Sequence, residues 1–577
     1  MATKKKDEEV IALAGDDESS PRPRLHKLII QNFRSIGSEK VEIELDDIVV
    51  LVGPNNVGKS SILRAYETVM SHGSKDGRLT INDFPNGQVD AGNLPTIELH
   101  TIVYNDAPGD RWLNPAASGE WLIREKWTWD SPSKDPKRQG FDTHKNDWDD
   151  QVPWGAPNVA NSRRPLPHRI DAFATPDKQA AEITKLITSL LKEKLSEIKS
   201  EPNQDKSDYE LVLDKIKDLQ TKVVQATEIE IKVIEDEISG YLGKLFPKHK
   251  IKFDAKPEAD LESAYQPFKN TTDLLMGPEN GYFSTIEHQG SGARRTLLWA
   301  TLKYLSETQD EKGSRPHVLL LDEPEICLHP SAIREARDIL YELPTSGNWQ
   351  VMITSHSPIF IDLSKDNTTI IRVFRESDSE VKSTTLYRPE RAKLDDNDKK
   401  NLKLMNICDP YVHEFFFGGR QIIVEGDTEY TAFSIIKEIY PDEYSDVQII
   451  RARGKGIIPS VAKVLKQFST SFFILHDTDK KQTANGKKNP AWGMNNTIAA
   501  LLEDDGKVNL VACKTCFETA IFGKEVRDEK PYNALTKIRT DENAKNRVKS
   551  LLDYLVGVEG TVLPNNCIHW TKIEQLT

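Results

Sequence analysis

Four acids in the last third of the chain have the type and spacing to hold divalent cations. Ile422-Ile423-Val424-Glu425-Gly426-Asp427-Thr428-Glu429 reads as an apolar strand, a glycine turn and a helix start, with Glu425 and Glu429 on either side of the glycine. Phe472-Phe473-Ile474-Leu475-His476-Asp477-Thr478-Asp479 is a second strand ending in paired aspartates. Acids at the C-terminal ends of neighbouring parallel strands converge on one point. Such a cluster repels itself unless cations neutralise it, and oxygen-only ligands favour Mg²⁺ or Mn²⁺. Phosphodiester hydrolysis has a use for the arrangement, since one ion can activate water while another stabilises the departing oxygen. Arg451, Arg453, Lys455, Lys480, Lys481, Lys487 and Lys488 offer a basic rim around the acids. Phosphate positioning is one reading of that rim, and a solvated loop is the other.

A second set of residues points to nucleotide chemistry. Gly53-Pro54-Asn55-Asn56-Val57-Gly58-Lys59-Ser60 matches GxxxxGK[ST], follows the apolar run Ile48 to Val52 and precedes the helical Ser61-Ile62-Leu63. Backbone N–H groups of the loop and helix start, from Asn55 and Asn56 through Gly58 to Ser61, would cradle phosphates. Lys59 would neutralise the β and γ charge, and the Ser60 hydroxyl would ligate Mg²⁺. Far downstream, His317-Val318-Leu319-Leu320-Leu321-Asp322-Glu323 is a buried strand ending in two carboxylates. Asp322 is placed to hold Mg²⁺ and Glu323 to polarise an attacking water.

These groups need strands and helices to position them. Leu28 to Ile30, Val41 to Leu45 and Ile48 to Val52 are short strand signals. Between about Asp177 and Phe246, Ile183, Ile187, Leu190, Leu211, Ile216 and Leu219 keep helical spacing, with a turn at Pro202 to Asp205. A helical subdomain packed on the core and a dimerising antiparallel coiled coil both fit that pattern. Arg391 to Lys403 reads as a charged surface connection. Beyond Gly418, strands Gln421 to Val424, Val447 to Ile450 and Phe472 to Leu475 alternate with helices, which implies a mostly parallel sheet. The predicted division is a disordered arm over 1–24, a nucleotide-binding domain over 25–175 and 251–390 split by a helical insertion over 176–250, a linker over 391–417, and an acid-bearing domain over 418–577.

At 577 residues the chain exceeds one ordinary core, and about 100 to 200 residues per domain suggests three or four units. No run approaches the roughly 18 apolar residues that cross a bilayer, and the first 24 residues lack a secretory apolar block, so the expectation is a cytoplasmic protein without a membrane partner. Five cysteines cannot form a disulfide framework in a chain of this length. Cys513 and Cys516, followed by Cys567 and His569, are read as buried thiols rather than a zinc set. A net charge of −13 opposes indiscriminate adhesion to polyanions but leaves room for a local basic stripe.

Three further segments place these motifs in a family. Gln289-Gly290-Ser291-Gly292-Ala293 before a helix, about 30 residues ahead of Asp322 and Glu323, resembles the ABC signature. His356, after Val351 to Ser355, resembles the ABC switch histidine, and Asn32-Phe33-Arg34-Ser35-Ile36 resembles SMC and RecF-like ATPases, in which an arginine such as Arg34 lies near the nucleotide. The glutamine usual between the two ABC lobes has no assigned counterpart. The pairing of EGxxE with DxD resembles the Toprim domain. That likeness adds Glu518 as a metal ligand and Lys530, from a lysine-bearing segment, as a group facing the scissile phosphate.

An ABC ATPase split by a helical insertion and followed by a Toprim domain looks like the OLD (overcoming lysogenization defect) nuclease family. The resemblance implies an α/β fold, an ABC-type P-loop ATPase with a dimerising helical insertion and a Rossmann-like Toprim domain. It further implies that Lys59, Ser60, Asp322, Glu323 and His356 serve ATP, with Ser291 and Gly292 reaching the γ-phosphate held by a second subunit. Glu425, Glu429, Asp477 and Asp479 would bind catalytic metal, and the substrate would be DNA. Assembly into a homodimer or larger oligomer, and defence against phage with a co-encoded helicase or retron partner in some members, belong to the same expectation. The alternative is a RecF- or SMC-like repair ATPase or clamp without nuclease activity. A topoisomerase or primase would need a tyrosine module or a zinc ribbon that the sequence does not display.

Overall fold

The computed structural model describes residues 23–171, 275–308 and 316–576 apart from short stretches within them, together with scattered positions of 175–218. Nearly all of the predicted N-terminal arm and helical insertion lies outside these residues. The chain divides into two compact units, 1–172 with 306–577, and 173–305.

Among the described residues the larger unit contains three sheets. The first is antiparallel, in the order Val41–Glu44, Arg24–Gln31, Thr96–Val103, Trp121–Thr128, Lys137–Asp142, Asp147–Asp149, with Asn114–Pro115 beside Trp121–Thr128. Leu25, Leu28 and Ile30 of its second strand are buried while intervening positions reach solvent. A sheet with one wet face produces this alternation.

The second sheet carries the nucleotide motifs. Its strands are β1 (Ile48–Val52), β2 (Leu166–Ile170), β3 (His317–Asp322), β4 (Trp349–Thr354), β5 (Thr368–Arg375) and β6 (Val381–Tyr387), in the order β6-β5-β1-β4-β3-β2. All pairs are parallel except β5 with β6. Every residue of β1 and β4 is buried, as continuous apolar runs covered on both faces require. Thr354 pairs with Leu51 on one side and Asp322 on the other, so three strands end level with the loop that leaves β1.

The third sheet contains β7 (Arg420–Val424), β8 (Val447–Arg451), β9 (Phe472–Asp477), β10 (Val508–Cys513) and β11 (Cys567–Trp570), ordered β8-β7-β9-β10-β11. The first four are parallel and β11 is antiparallel. Chain order reverses between β7 and β9, which opens a crevice at their C-terminal ends. Helices Asp427–Ile439, Lys530–Thr540 and Glu542–Leu555 pack together around a core of Phe433, Ile436, Ile538, Val548 and Leu552.

The stretch read as a surface connection is built otherwise. Asp395 caps helix Asp396–Cys408 through the Asn397 and Asp398 N–H groups, and Asp398, Leu402 and Met405 are buried. Its charged residues alternate with an inward stripe, and the charge run concealed that stripe. Val412–Phe417 then forms a turn that buries Phe415 and Phe416.

In the smaller unit, a two-stranded hairpin of Leu275–Met276 and Ser284–Thr285 precedes helix Ser291–Thr308. Ser291 and Gly292 form the first turn of that helix. Arg294, buried, binds the Gln179 side-chain oxygen at 2.9 Å and the Gln289 carbonyl, which pins the helix start.

Candidate functional site

The nucleotide loop is shaped by two close approaches. Gly53 has φ 144°, and a Cβ there would stand 2.0 Å from the Val373 carbonyl oxygen of β5. Gly58 has φ 97°, and a Cβ would meet Ser35 Oγ at 2.7 Å. Only glycine fits such positions. Helix Lys59–Met70 starts directly after Gly58 and aims its first N–H groups at the loop.

Around the loop the predicted ATP residues come together. Lys59 Nζ donates to the Gly53 and Pro54 carbonyls at 2.9 and 2.8 Å and lies 3.0 Å from His356 Nε2. Burial, opposed by the nearby carboxylates of Glu323 and Asp322, lowers the Lys59 pKa. Burial and then the Lys59 charge lower that of His356, which keeps its ring neutral and able to accept from the ammonium. Ser60 Oγ donates to Asp322 Oδ1 at 3.0 Å, and the same oxygen accepts from Thr354 Oγ1 at 2.5 Å. A hydroxyl and a carboxylate side by side are the oxygen pair that Mg²⁺ uses in P-loop enzymes.

Glu323 has φ 46°, a left-handed conformation that costs a glutamate on the order of 1 kcal/mol. Its N–H is held by the Thr354 carbonyl and hydroxyl at 3.0 and 3.1 Å, and its carboxylate lies 3.4 Å from His356. Strain retained at this position turns the side chain toward the loop rather than along the strand.

The remaining predicted residues are less central. Arg34, φ 54°, binds Asp83 through Nε at 2.7 Å and lines a cavity of about 450 Å³ with Asn32, Ser35, Asn86 and Glu380. Ser35 brings that cavity to the loop, its Oγ lying 3.4 Å from Ser61 Oγ. Ser61 thus faces the protein interior, whereas Asn55 and Asn56 are exposed. Ser291 and Gly292 belong to the other compact unit.

Sequence reasoning missed Glu325. It accepts from Ser355 Oγ at 2.9 Å and the His356 N–H at 2.7 Å, fixing the backbone that carries the histidine. Burial raises its pKa. The third acid of Asp322-Glu323-Pro324-Glu325 was the available signal.

The second candidate centre lies at the crevice of the third sheet. Glu425 follows β7, Asp477 ends β9, Glu429 lies in the first turn of helix Asp427–Ile439, and Glu518 lies in the first turn of Phe517–Phe522. Glu429 and Glu518 are buried. The Asp477 N–H donates to Glu425 Oε2 at 3.1 Å. Burial, then the charges of Glu425 and Glu518, push Glu429 up to about 7. Burial and the charges of Glu429, Glu425 and Glu518 raise Asp477 far above the usual carboxylate range, and burial raises Glu425. Asp477 Oδ1 is buried with no hydrogen-bond partner.

Two ammonium groups face this cluster, Lys455 from the interior and Lys530 from a half-exposed position. Lys455, nearly fully buried, contacts Asp479, donates to the Asp477 carbonyl at 2.5 Å and lies 3.9 Å from Glu425. It is therefore not part of a solvent-facing rim. Arg451 leaves the rim too, paired with Asp427 and Asp409 at 2.9 and 3.2 Å. Lys530 lies 3.2 Å from Glu518, which also accepts from Thr428 at 3.2 Å.

Among the described residues no group of three or more His, Cys, Asp or Glu is arranged to hold an ion as it stands. Asp479 and Glu518 turn to lysines instead, so the acids share a crevice but not a closed ligand shell. The donor set still fits hard divalent cations. Its ligating atoms are oxygens, their charges raise one another's pKa, and Asp477 presents an unsatisfied buried oxygen.

Of the thiols read as buried, Cys516 is only half-buried, its Sγ 3.1 Å from Thr519 Oγ1. Cys513 and Cys567 are buried opposite one another on β10 and β11, with Sγ atoms 3.7 Å apart.

Comparison with known proteins gives a family match in each half of the chain. Residues 24–106 and 156–361, half of the chain, match the AAA ATPase domain family. Residues 416–479 match the overcoming lysogenization defect protein-like Toprim domain. The OLD nuclease of Thermus scotoductus is 23% identical over 477 residues, covering 79% of this chain and 82% of that protein. The Old nuclease of Escherichia phage P2 is 24% identical over 519 residues, 86% of this chain and 85% of that protein. Endonuclease GajA of Bacillus cereus is 24% identical over 291 residues, 50% of this chain and 47% of that protein. With the ATPase match over half its length, the Toprim match behind it and OLD nucleases aligned along most of both partners, the chain belongs to the AAA ATPase domain family and is an ATPase–Toprim nuclease of the OLD type.

Proposed function

We propose that this ATP-dependent nuclease hydrolyses phosphodiester bonds of DNA at the Toprim crevice, with Mg²⁺ or Mn²⁺ held by Glu425, Glu429, Asp477, Asp479 and Glu518. The observation that carries the reading is the gathering of carboxylates at the crevice, Glu425 and Asp477 at the ends of β7 and β9 and the buried Glu429 and Glu518 in adjoining helix turns, with Asp477 Oδ1 left unpartnered. Divalent cations bound there supply an activated water and charge compensation for the departing oxygen. Glu425 and Asp477 fix the centre of the site through their shared backbone contact. Lys455 orients Asp479, and Lys530, half-exposed beside Glu518, is placed to meet the charge of a phosphate oxygen.

In the ATPase site, Lys59 exchanges its carbonyl partners for phosphate oxygens, Ser60 and Asp322 hold Mg²⁺, and Glu323 orients the attacking water. His356 is near enough to both Lys59 and Glu323 to respond to the γ-phosphate. A helix N-terminus bearing Ser291 and Gly292 fits the γ-phosphate of a second subunit, which makes a homodimer or larger oligomer the working assembly. By likeness to the OLD family, defence against phage in the cytoplasm with a co-encoded partner, a helicase or retron components, is the biological setting.

Plasmid cleavage tests the assignment. Asp477→Ala abolishes nicking with Mg²⁺ or Mn²⁺ and retains ATP binding, whereas Lys59→Ala loses nucleotide affinity and retains metal binding at the Toprim crevice. Unchanged cleavage by Asp477→Ala refutes the proposal.

A further inference from the structure

The segment after Asp479 carries four lysines and no acid between Lys480 and Lys488, in a chain of net charge −13. All four, Lys480, Lys481, Lys487 and Lys488, are exposed. Among the described residues none of them forms an ion pair. The two limbs bearing them are paired. Thr483 N–H donates to the Lys487 carbonyl at 2.9 Å, Asn489 N–H to the Lys481 carbonyl at 3.0 Å, and Gln482 bridges Lys488. Asn489 Nδ2 closes the base through the Lys480 carbonyl at 2.8 Å, and Gly486, φ 73°, makes the turn. The ammonium group of Lys481 lies 5.3 Å from the centre of the Trp492 ring.

In this register Lys481 stands opposite Asn489, Lys488 opposite Gln482 and Lys487 opposite Thr483, so the lysines sit diagonally across the pair with no acid between them to neutralise their charge. A hairpin that holds two lysines on each limb therefore gains from an external polyanion rather than from its own fold. Its placement identifies the polyanion. The first limb leaves Asp479, whose N–H is tied to the Thr515 carbonyl at 3.0 Å, and Lys480 follows Asp477 by three residues, at most about 11 Å of chain. Exposed Arg453 and Lys514 lie in the loops that follow β8 and β10, at the same edge of the sheet.

We infer that the hairpin limbs 480–482 and 487–489 form a clamp for the phosphate backbone of duplex DNA flanking the scissile bond, a role that rests on the nuclease reading of the adjacent crevice. The clamp supplies affinity and register, and the acids supply chemistry.

The test uses the full chain, with Lys480, Lys481, Lys487 and Lys488 all changed to Gln in one variant and to Arg in another. Binding of a labelled linear duplex is followed by anisotropy in EDTA between 50 and 200 mM salt, a span of about the range over which phosphate contacts are lost. The Gln variant is expected to reduce the slope of log affinity against log salt by about 0.9 per contact, on the order of three to four in all. The Arg variant keeps the wild-type slope. Under Mg²⁺ or Mn²⁺ the Gln variant raises KM for DNA while kcat changes by no more than about twofold, and its ATP hydrolysis without DNA stays at the wild-type rate.

An unchanged slope, absent binding by wild type, or a lost kcat at unchanged KM overturns the clamp. Lysine-dependent binding without cleavage would remove the nuclease reading and leave the clamp standing. Cleavage with an unchanged slope would do the opposite.

Discussion

Glu429 combines deep burial with neighbouring negative charge, and that combination makes the Toprim site responsive to pH. Its pKa is pushed up to about 7 by burial and by Glu425 and Glu518, against about 4.3 for an unfolded glutamate. A carboxyl raised in this direction favours the fold below the unfolded value, and that contribution is lost as pH rises through about 7. Without metal, ionisation of the cluster therefore weakens the Toprim half across that window. Metal has to displace the same proton, so apparent Mn²⁺ affinity is expected to climb from about pH 5 to about pH 7 and then level off. Titration calorimetry at several pH values measures this, and Glu429→Gln should flatten the profile. A wild-type affinity that does not vary with pH contradicts the assignment.

The elements were far more legible in the sequence than the contacts between them. The apolar runs of β1, β3, β7 and β9, each running into glycine or acid, identified strands because a strand buried on both faces has no polar period to hide. The same runs placed Asp322, Glu425 and Asp477 at strand ends and Lys59 at the helix start beyond the loop, where the structure has them. Lys455 was misread because its burial depends on Asp479 and the Asp477 carbonyl, which are separated from it by more than 20 residues. Glu325 escaped for a similar reason, since its role depends on Ser355 and His356, which follow β4 some 30 residues on.

A third contact of this kind ties the antiparallel sheet to the ATPase sheet. Glu125, fully buried, receives Arg138 at 2.8 and 2.6 Å on one oxygen and Arg164, just ahead of β2, at 2.9 and 2.5 Å on the other. Glu125→Gln removes the only charge facing that pair within the triad and should destabilise the ATPase half by about 3 kcal/mol or more. Thermal melting with and without ATP checks this. A melting temperature equal to wild type would show that the triad adds little.

The larger unit joins its two catalytic halves through packed rings rather than a hydrated linker. Phe416, fully buried in the turn between them, lies 4.6 Å from Phe415, 5.5 Å from Phe468 beyond helix Ile458–Leu465, and 6.5 Å from Tyr387 at the end of β6. Tyr387 belongs to the sheet that holds the nucleotide loop, whereas Phe468 precedes the strand that ends in Asp477. A cavity at Phe416 removes contacts from both sheets at once, and truncating a buried phenylalanine costs about 3 to 5 kcal/mol. Domains that share a large apolar interface unfold together, and those that share a small polar one separate. Phe416→Ala is therefore expected to lower the melting temperature and split one calorimetric transition into two, while Lys59→Ala and Asp477→Ala leave a single transition. Nicking and ATP hydrolysis should fall together in Phe416→Ala, because neither centre contacts the ring and each depends on a sheet that it supports. Two transitions already present in wild type would mean that the aromatic junction does not bind the halves into one cooperative body, and each activity would then survive the substitution.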